Sequence, residues 1–281
     1  MKAPSSWTLD LRGLALKVWE PGQGEGRPVV LLHGFLDQGL CWVRTARWLP
    51  GRRLLAPDQR GFGQSGKVGA GGSYHFPDLI SDLDALVHHL GGGPIDLVGH
   101  SMGGTVAGWY AGARPEKVVR LAIVEGMGPP AEVEDSPLDR LRLFLDGTRR
   151  PPPVPVLPDL EHATARLLRR HPLLDPEHAA LLAEHGTEPA GAVRRWSFDR
   201  LHMVRSPTPF RESGFAEALG AITASTLIVW AEQSWYAPEV RERRSAALPQ
   251  ARQETVPGGH MLPYDAPEAL GRLLAEHLGE G

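Results

Sequence analysis

Apolar and polar residues alternate near the start of the chain. WTLDLRG (7–13) and LALKVWEPG (14–22), with the turn-prone Arg12-Gly13 between them, predict an antiparallel hairpin. Further along the pattern changes kind. RPVVLLHG (27–34), RLLAPD (53–58), IDLVGH (95–100), VVRLAIVEG (118–126) and STLIVWAE (225–232) are short, nearly continuous apolar runs. Such runs suit strands covered on both faces, as in a parallel sheet. Between them lie helical stretches. DLISDLDALVHHL (78–90) puts Leu79, Leu83, Leu86 and Leu90 on one stripe with Val87 beside it, and the run Gly91-Gly92-Gly93-Pro94 stops it. Strands alternating with helices predict an open, doubly wound α/β sheet, whose chemistry sits just beyond the carboxyl ends of the strands.

The alternation breaks down between about 128 and 220. No strong apolar strand run occurs there. A proline-rich loop, RRPPPVPVLPDL, precedes the helix-like stretches EHATARLLRRH and DPEHAALLAEHG. The expected organisation is therefore an α/β core from 1–127 and 221–281, with residues 128–220 inserted as a mostly helical cap. The PPPVP run reads as a stiff loop within that cap.

Composition narrows the function classes. The 281 residues suffice for one large domain, and a formal charge of -3 offers no basic face to nucleic acid. Cys41 is the single cysteine, which leaves no intrachain disulfide or thiolate metal cluster and fits a reducing compartment. No apolar run approaches the roughly 20 residues of a membrane span. A cytoplasmic monomer or homodimer without membrane insertion is the expectation.

The chemistry starts at LVGHSMGGTVAGWYAG (97–112). An apolar strand, a glycine turn around one serine and a small-residue helix form the arrangement that lifts a nucleophile above a sheet. Ser101 is that nucleophile. A hydroxyl is a weak nucleophile at neutral pH and needs a base within hydrogen-bond reach. Of the twelve histidines, His260 in TVPGGHMLPYDAPEAL stands out, in a glycine loop between a last strand-like run and a closing helix. The others form no HExxH-type set, so no metal site is expected. Charge developing on a substrate carbonyl calls for two N–H donors. The N–H of Met102 supplies one, and that of Phe35, after the strand ending HGF, is nominated for the second. His33 is expected to brace that loop.

HGF after a strand, DQRGFGQSG (58–66), GHSMGG (99–104) and GGH (258–260) resemble the α/β-hydrolase superfamily in order and spacing, over nearly the whole chain. HGFLDQG, VEGMGPP and the segment from WSFDR to TPF look more narrowly like its serine hydrolase-like subgroup. The resemblance implies the α/β-hydrolase fold and no cofactor. It implies the roles of nucleophile for Ser101, base for His260 and oxyanion donors for Phe35 and Met102. Asp58 and Arg60 would brace a loop, or pair with each other across a turn.

One position departs from the family. The acid usually follows the penultimate strand, yet there the chain reads WAEQSWYAP, with Ser234 where an aspartate belongs. A serine cannot hold an imidazolium electrostatically. Three arrangements are open: Glu125 as the acid, Glu232 as the acid, or a dyad without one. Glu125 is favoured, because it ends the apolar run RLAIVEG one strand earlier, and a carboxylate there is hard to explain as a solvated charge. The expected activity is that of a serine carboxylesterase acting on a small to medium, hydrophobic acyl ester through an acyl-enzyme. A C-C hydrolase or acyltransferase would use the same residues. A binding protein that keeps the fold is the non-enzymatic alternative, against which Ser101 and His260 argue. Trp42 and Trp235 are each candidates for either the pocket or the core.

Overall fold

A computed structural model describes residues 1–69, 71–130 and 136–279. Its main sheet has eight strands in the order β1-β2-β4-β3-β5-β6-β10-β11. The strands are β1 (Ser5–Leu11), β2 (Leu14–Gln23), β3 (Glu25–Leu32), β4 (Arg52–Pro57), β5 (Ile95–His100), β6 (Val118–Val124), β10 (Ser225–Gln233) and β11 (Arg252–Gly259). β1 and β2 form the antiparallel hairpin expected from their alternation, β2 pairs antiparallel with β4, and the remaining neighbours are parallel.

Alternation along each parallel strand divides the core into two apolar layers. Val30, Leu32, Leu97, Leu121, Ile123, Ile228 and Trp230 belong to one cluster. Val29, Leu31, Val98, Ala122, Val124, Leu227 and Val229 belong to the other. The helices are α1 (Val43–Ala46), α2 (Phe76–His89), α3 (Met102–Ala113), α4 (Pro137–Arg149), α5 (Leu160–Arg170), α6 (Pro176–His185), α7 (Glu212–Gly220), α8 (Pro238–Ser245), α9 (Leu262–Asp265) and α10 (Pro267–Leu278). The first layer takes in Leu79, Leu83, Leu86 and Val87 of α2, the stripe read from the sequence, and the small face of α3 at Val106, Ala107 and Ala111. The second layer is closed by Leu270, Leu274 and Leu278 of α10.

The segment between β6 and β10 is not helical alone. It contains a three-stranded sheet in the order β7-β9-β8, from β7 (Val156–Leu157), β8 (Thr187–Ala190) and β9 (Val193–Trp196). TEPA and VRRW carry too little apolar alternation to announce strands, and a hairpin turn at Gly191, with φ 69°, brings them together. Residues 131–135 of the expected cap lie outside the described residues. At its far end, Phe215 and Leu219 of α7 join Tyr110 and Ala107 of α3 in the first core layer. By packing, α7 thus goes with the core, although the sequence boundary at 220 assigns it to the insertion.

Candidate active site

Six parallel strands leave the sheet at one end, and each delivers a residue singled out in the sequence or its neighbour. After β5, the chain turns at Ser101 with φ 54° and ψ -120°, and α3 begins at the next residue. A non-glycine residue with positive φ is uncommon and is held only by its surroundings. Here the Ser101 N–H donates to the Val124 carbonyl at 2.9 Å, and the Ser101 carbonyl accepts from Thr105 N–H at 3.1 Å. The turn is tight enough to need glycine around it. A Cβ on Gly103 would stand 2.5 Å from the Leu32 carbonyl oxygen.

After β11, the glycine loop brings the His260 ring back to this turn. Ser101 Oγ donates to His260 Nε2 at 2.9 Å, and His260 Nδ1 donates to Glu125 Oε2 at 3.1 Å. Both bonds are satisfied by a single tautomer, with the ring proton on Nδ1. Glu125 sits at the β6 exit with φ 47°, and its side chain is fully buried. Its second oxygen, Oε1, accepts the Ala231 N–H at 2.8 Å, so neither carboxylate oxygen is left without a donor. Glu232, the other candidate, is exposed. Ser234 Oγ accepts the Tyr236 N–H at 3.2 Å and closes a turn of its own.

The Gly34–Phe35 loop leaves β3 beside the serine. A Cβ on Gly34 would lie 3.1 Å from Ser101 Cβ and equally close to His100 Nδ1. Met102 is the first residue of α3, so its N–H is one of the four at a helix start that have no partner within the helix. His33 braces the loop as expected: its Nδ1 donates to the Gly34 carbonyl at 2.7 Å, and its Nε2 accepts the Gln59 N–H at 2.9 Å. Burial pushes its pKa down to about 4, so the ring stays neutral.

Asp58 and Arg60 do not pair with each other. Asp58 is buried and accepts from Trp19 Nε1, the Gly39 N–H and the Gln64 N–H at 3.0, 2.7 and 2.8 Å. Burial pushes its pKa up to about 6. Arg60 turns instead to Asp82 and Asp78 on α2. The aspartate therefore ties the DQRGFGQSG loop to the segment after Phe35, and the arginine ties it to a helix. Trp42 is fully buried core, whereas Trp235 is 47% exposed. The Trp235 ring stacks on His260 with centroids 3.7 Å apart and planes at 29°.

Three contributors carry no signal of their role in the sequence. His100 Nε2 donates to the His260 carbonyl at 2.7 Å, holding the main chain of His260 from the residue before Ser101. Burial, with His260 as a second cause, pushes the pKa of His100 down to about 3. Thr105 Oγ1 donates to the Gly126 carbonyl at 3.1 Å and accepts the Gly128 N–H at 2.9 Å, tying α3 to the loop beyond Glu125. Tyr264 donates to Asp37 Oδ1 at 2.6 Å and so joins the segment after His260 to the loop after Phe35. Thr105 and Tyr264 belong to no motif, and His100, although it lies inside GHSMGG, has no local signal of its bond to His260.

A family model for the alpha/beta hydrolase fold matches residues 27–267. The chain belongs to the α/β-hydrolase family. Among solved structures, it is similar to a thioesterase domain from the curacin biosynthetic pathway, with 32% identity and a TM-score of 0.90 over 97% of this chain and 99% of that one. A hypothetical protein of Pseudomonas aeruginosa PAO1 is 30% identical with a TM-score of 0.87, over 97% of each chain. A serine hydrolase-like protein of Danio rerio is 35% identical over 136 residues, which are 48% of this chain and 40% of that relative. The chain thus matches less than half the length of that curated α/β-hydrolase relative. The mostly parallel sheet with an antiparallel hairpin at its edge agrees with the fold expected for the family.

Proposed function

We propose that this α/β-hydrolase is a serine hydrolase that cleaves a carboxylic ester, of small to medium hydrophobic acyl group, through an acyl-enzyme. The reading rests on one observation: the unbroken chain of hydrogen bonds from Ser101 Oγ through His260 to Glu125. In that arrangement, His260 Nε2 removes the Ser101 proton as Oγ attacks the carbonyl carbon. The N–H groups of Phe35 and Met102 receive the oxyanion, where a single donor is worth roughly 10²–10³ in rate. Collapse of the tetrahedral intermediate expels the alcohol, which takes its proton from His260. Water then repeats the sequence on the acyl-serine, with Glu125 holding the Nδ1 proton and balancing the imidazolium in both halves.

The same steps serve a thioester, with a thiol as leaving group, and the likeness to a thioesterase domain supports testing both. A fluorophosphonate probe should label wild type and leave Ser101→Ala unlabelled. Rates on short and long p-nitrophenyl esters, and on the matching S-acyl compounds, then rank acyl length and leaving group. Labelling of Ser101→Ala at the wild-type rate would overturn the reading. Wild type that binds these esters without turning them over would favour the ligand-binding alternative.

A further inference from the structure

The residue beside Ser234 has a place that the motifs do not explain. With Ser234 in the usual position of the acid, the β10 exit carries no carboxylate toward His260. Its turn, closed by the Ser234 Oγ bond to the Tyr236 N–H, presents Trp235 instead. Tyr236 fixes that turn from below. Its hydroxyl donates to the Gly128 carbonyl at 2.5 Å, its ring packs edge-on against Trp230, and the Arg244 guanidinium lies 5.9 Å from the ring. Trp235 meets Tyr236 edge-to-face at 5.9 Å and lays its indole on the His260 ring, while about half of its surface stays in solvent. A half-exposed indole stacked on an imidazole does not serve the core.

We infer that Trp235 is a positioning residue for His260: it holds the imidazole in the plane shared by Ser101 and Glu125 and stabilises the imidazolium formed during each proton transfer. The face of an indole carries negative charge density and attracts a cation set against it. Neutral imidazole gains little from that field. Imidazolium gains more, so the contact strengthens in the transition state, and only such differential interactions raise kcat. This inference rests on the proposed role of His260 as base.

The other titratable groups against His260 are Glu125 at the β6 exit, His100 at the end of β5 and Asp265 on α9. Burial keeps His100 neutral above a pKa of about 3. Substitution at Trp235 leaves all three in place.

The test compares wild type with Trp235→Phe and Trp235→Leu on p-nitrophenyl butyrate, with melting temperatures recorded alongside. For Trp235→Leu, kcat should fall roughly three- to tenfold with KM nearly unchanged. Trp235→Phe, which keeps an aromatic face, should recover most of the rate. A raised KM with unchanged kcat would overturn the inference, making Trp235 a wall of the substrate site. Equal behaviour of the Phe and Leu variants would overturn it as well. Ser101→Ala separates the levels: if it is inactive while Trp235→Leu matches wild type, only the Trp235 role fails. If Ser101→Ala stays active, the underlying reading fails.

Discussion

Two neighbouring strands of the main sheet end in the same unusual way, and only one of the two endings resembles a known motif. β5 leaves through Ser101 at φ 54°, and β6 leaves through Glu125 at φ 47°. Each is held by the strand next to it, since the Ser101 N–H donates to Val124 and the Glu125 N–H donates to Val229, both at 2.9 Å. The backbone device is repeated one strand along. The two continuations differ. Ser101 opens onto the helix α3 and keeps 8% exposure, whereas Glu125 is sealed and leads into Gly126 and a loop. A left-handed strand exit thus aims a side chain sharply out of the sheet. Whether the side chain meets substrate or only another side chain depends on what covers it.

The comparison is tested most severely at the two side chains themselves. Ser101→Ala should abolish ester turnover, a loss of roughly 10⁴-fold or more in kcat, with the melting temperature unchanged or raised. Glu125→Gln should cost roughly 10²–10⁴ in kcat, because the amide cannot balance the imidazolium and offers a donor toward Nδ1. Circular dichroism should show that variant folded. Glu232→Gln should behave as wild type, since that residue is exposed. Near-normal activity in Glu125→Gln together with loss in Glu232→Gln would transfer the acid's role and dissolve the parallel between the exits.

The contact between the exits can be broken without touching either side chain. A Cβ on Gly126 would sit 2.6 Å from the Ser101 carbonyl oxygen and 2.7 Å from Gly104 Cα. Both obstacles are backbone, so the exits must part. Gly126→Ala should destabilise by about 1–3 kcal/mol, as overpacked sites do, and should lower kcat by disturbing Ser101 and Glu125 together. Thermal unfolding alongside kinetics checks this. A variant with wild-type stability would mean that the two exits are not in obligatory contact.

The same contrast decides how far each exit is legible in the sequence. Gly99, Ser101 and Gly103 are spaced by a steric requirement that leaves a pattern in one short window, so the turn at Ser101 can be read directly. The parallel strands are legible because burial on both faces writes them as apolar runs. Glu125 is legible only by subtraction, from Ser234 standing where an aspartate is expected and from a carboxylate ending an apolar run. The bonds from His100 to His260 and from Thr105 to Gly126 join residues distant in sequence and carry no local spacing, so nothing in the chain announces them. The small sheet of β7, β8 and β9 is hidden for another reason. Its strands are short and half polar, and their pairing is decided by tertiary context rather than by alternation.

The smallest expected effect concerns the side chain that stands behind Ser101. His100 is buried and held neutral, its pKa pushed down to about 3 from 6.5. A histidine lowered in this way favours the folded state fully above its unfolded value, and that contribution is lost as pH falls from 6.5 toward 3, because the unfolded chain takes up the proton first. His33, lowered to about 4, acts in the same sense on the loop beside Ser101. Both lie at the β5 side of the pair of exits, so acid should weaken that side through them. His100→Gln removes the titration but keeps an N–H able to donate to the His260 carbonyl. At pH 8 it should keep kcat within about tenfold of wild type, since a buried carbonyl left without its donor costs about 1–3 kcal/mol and here a donor remains. Between pH 7 and 5, its melting temperature should fall less steeply than that of wild type. The gain is limited to about 1.4 kcal/mol per pH unit, the most that one proton can contribute. Parallel melting curves across that range would show that His100 gains its proton as easily in the folded protein as in the unfolded chain, and the elbow would then be no more sensitive to acid than the exit that carries Glu125.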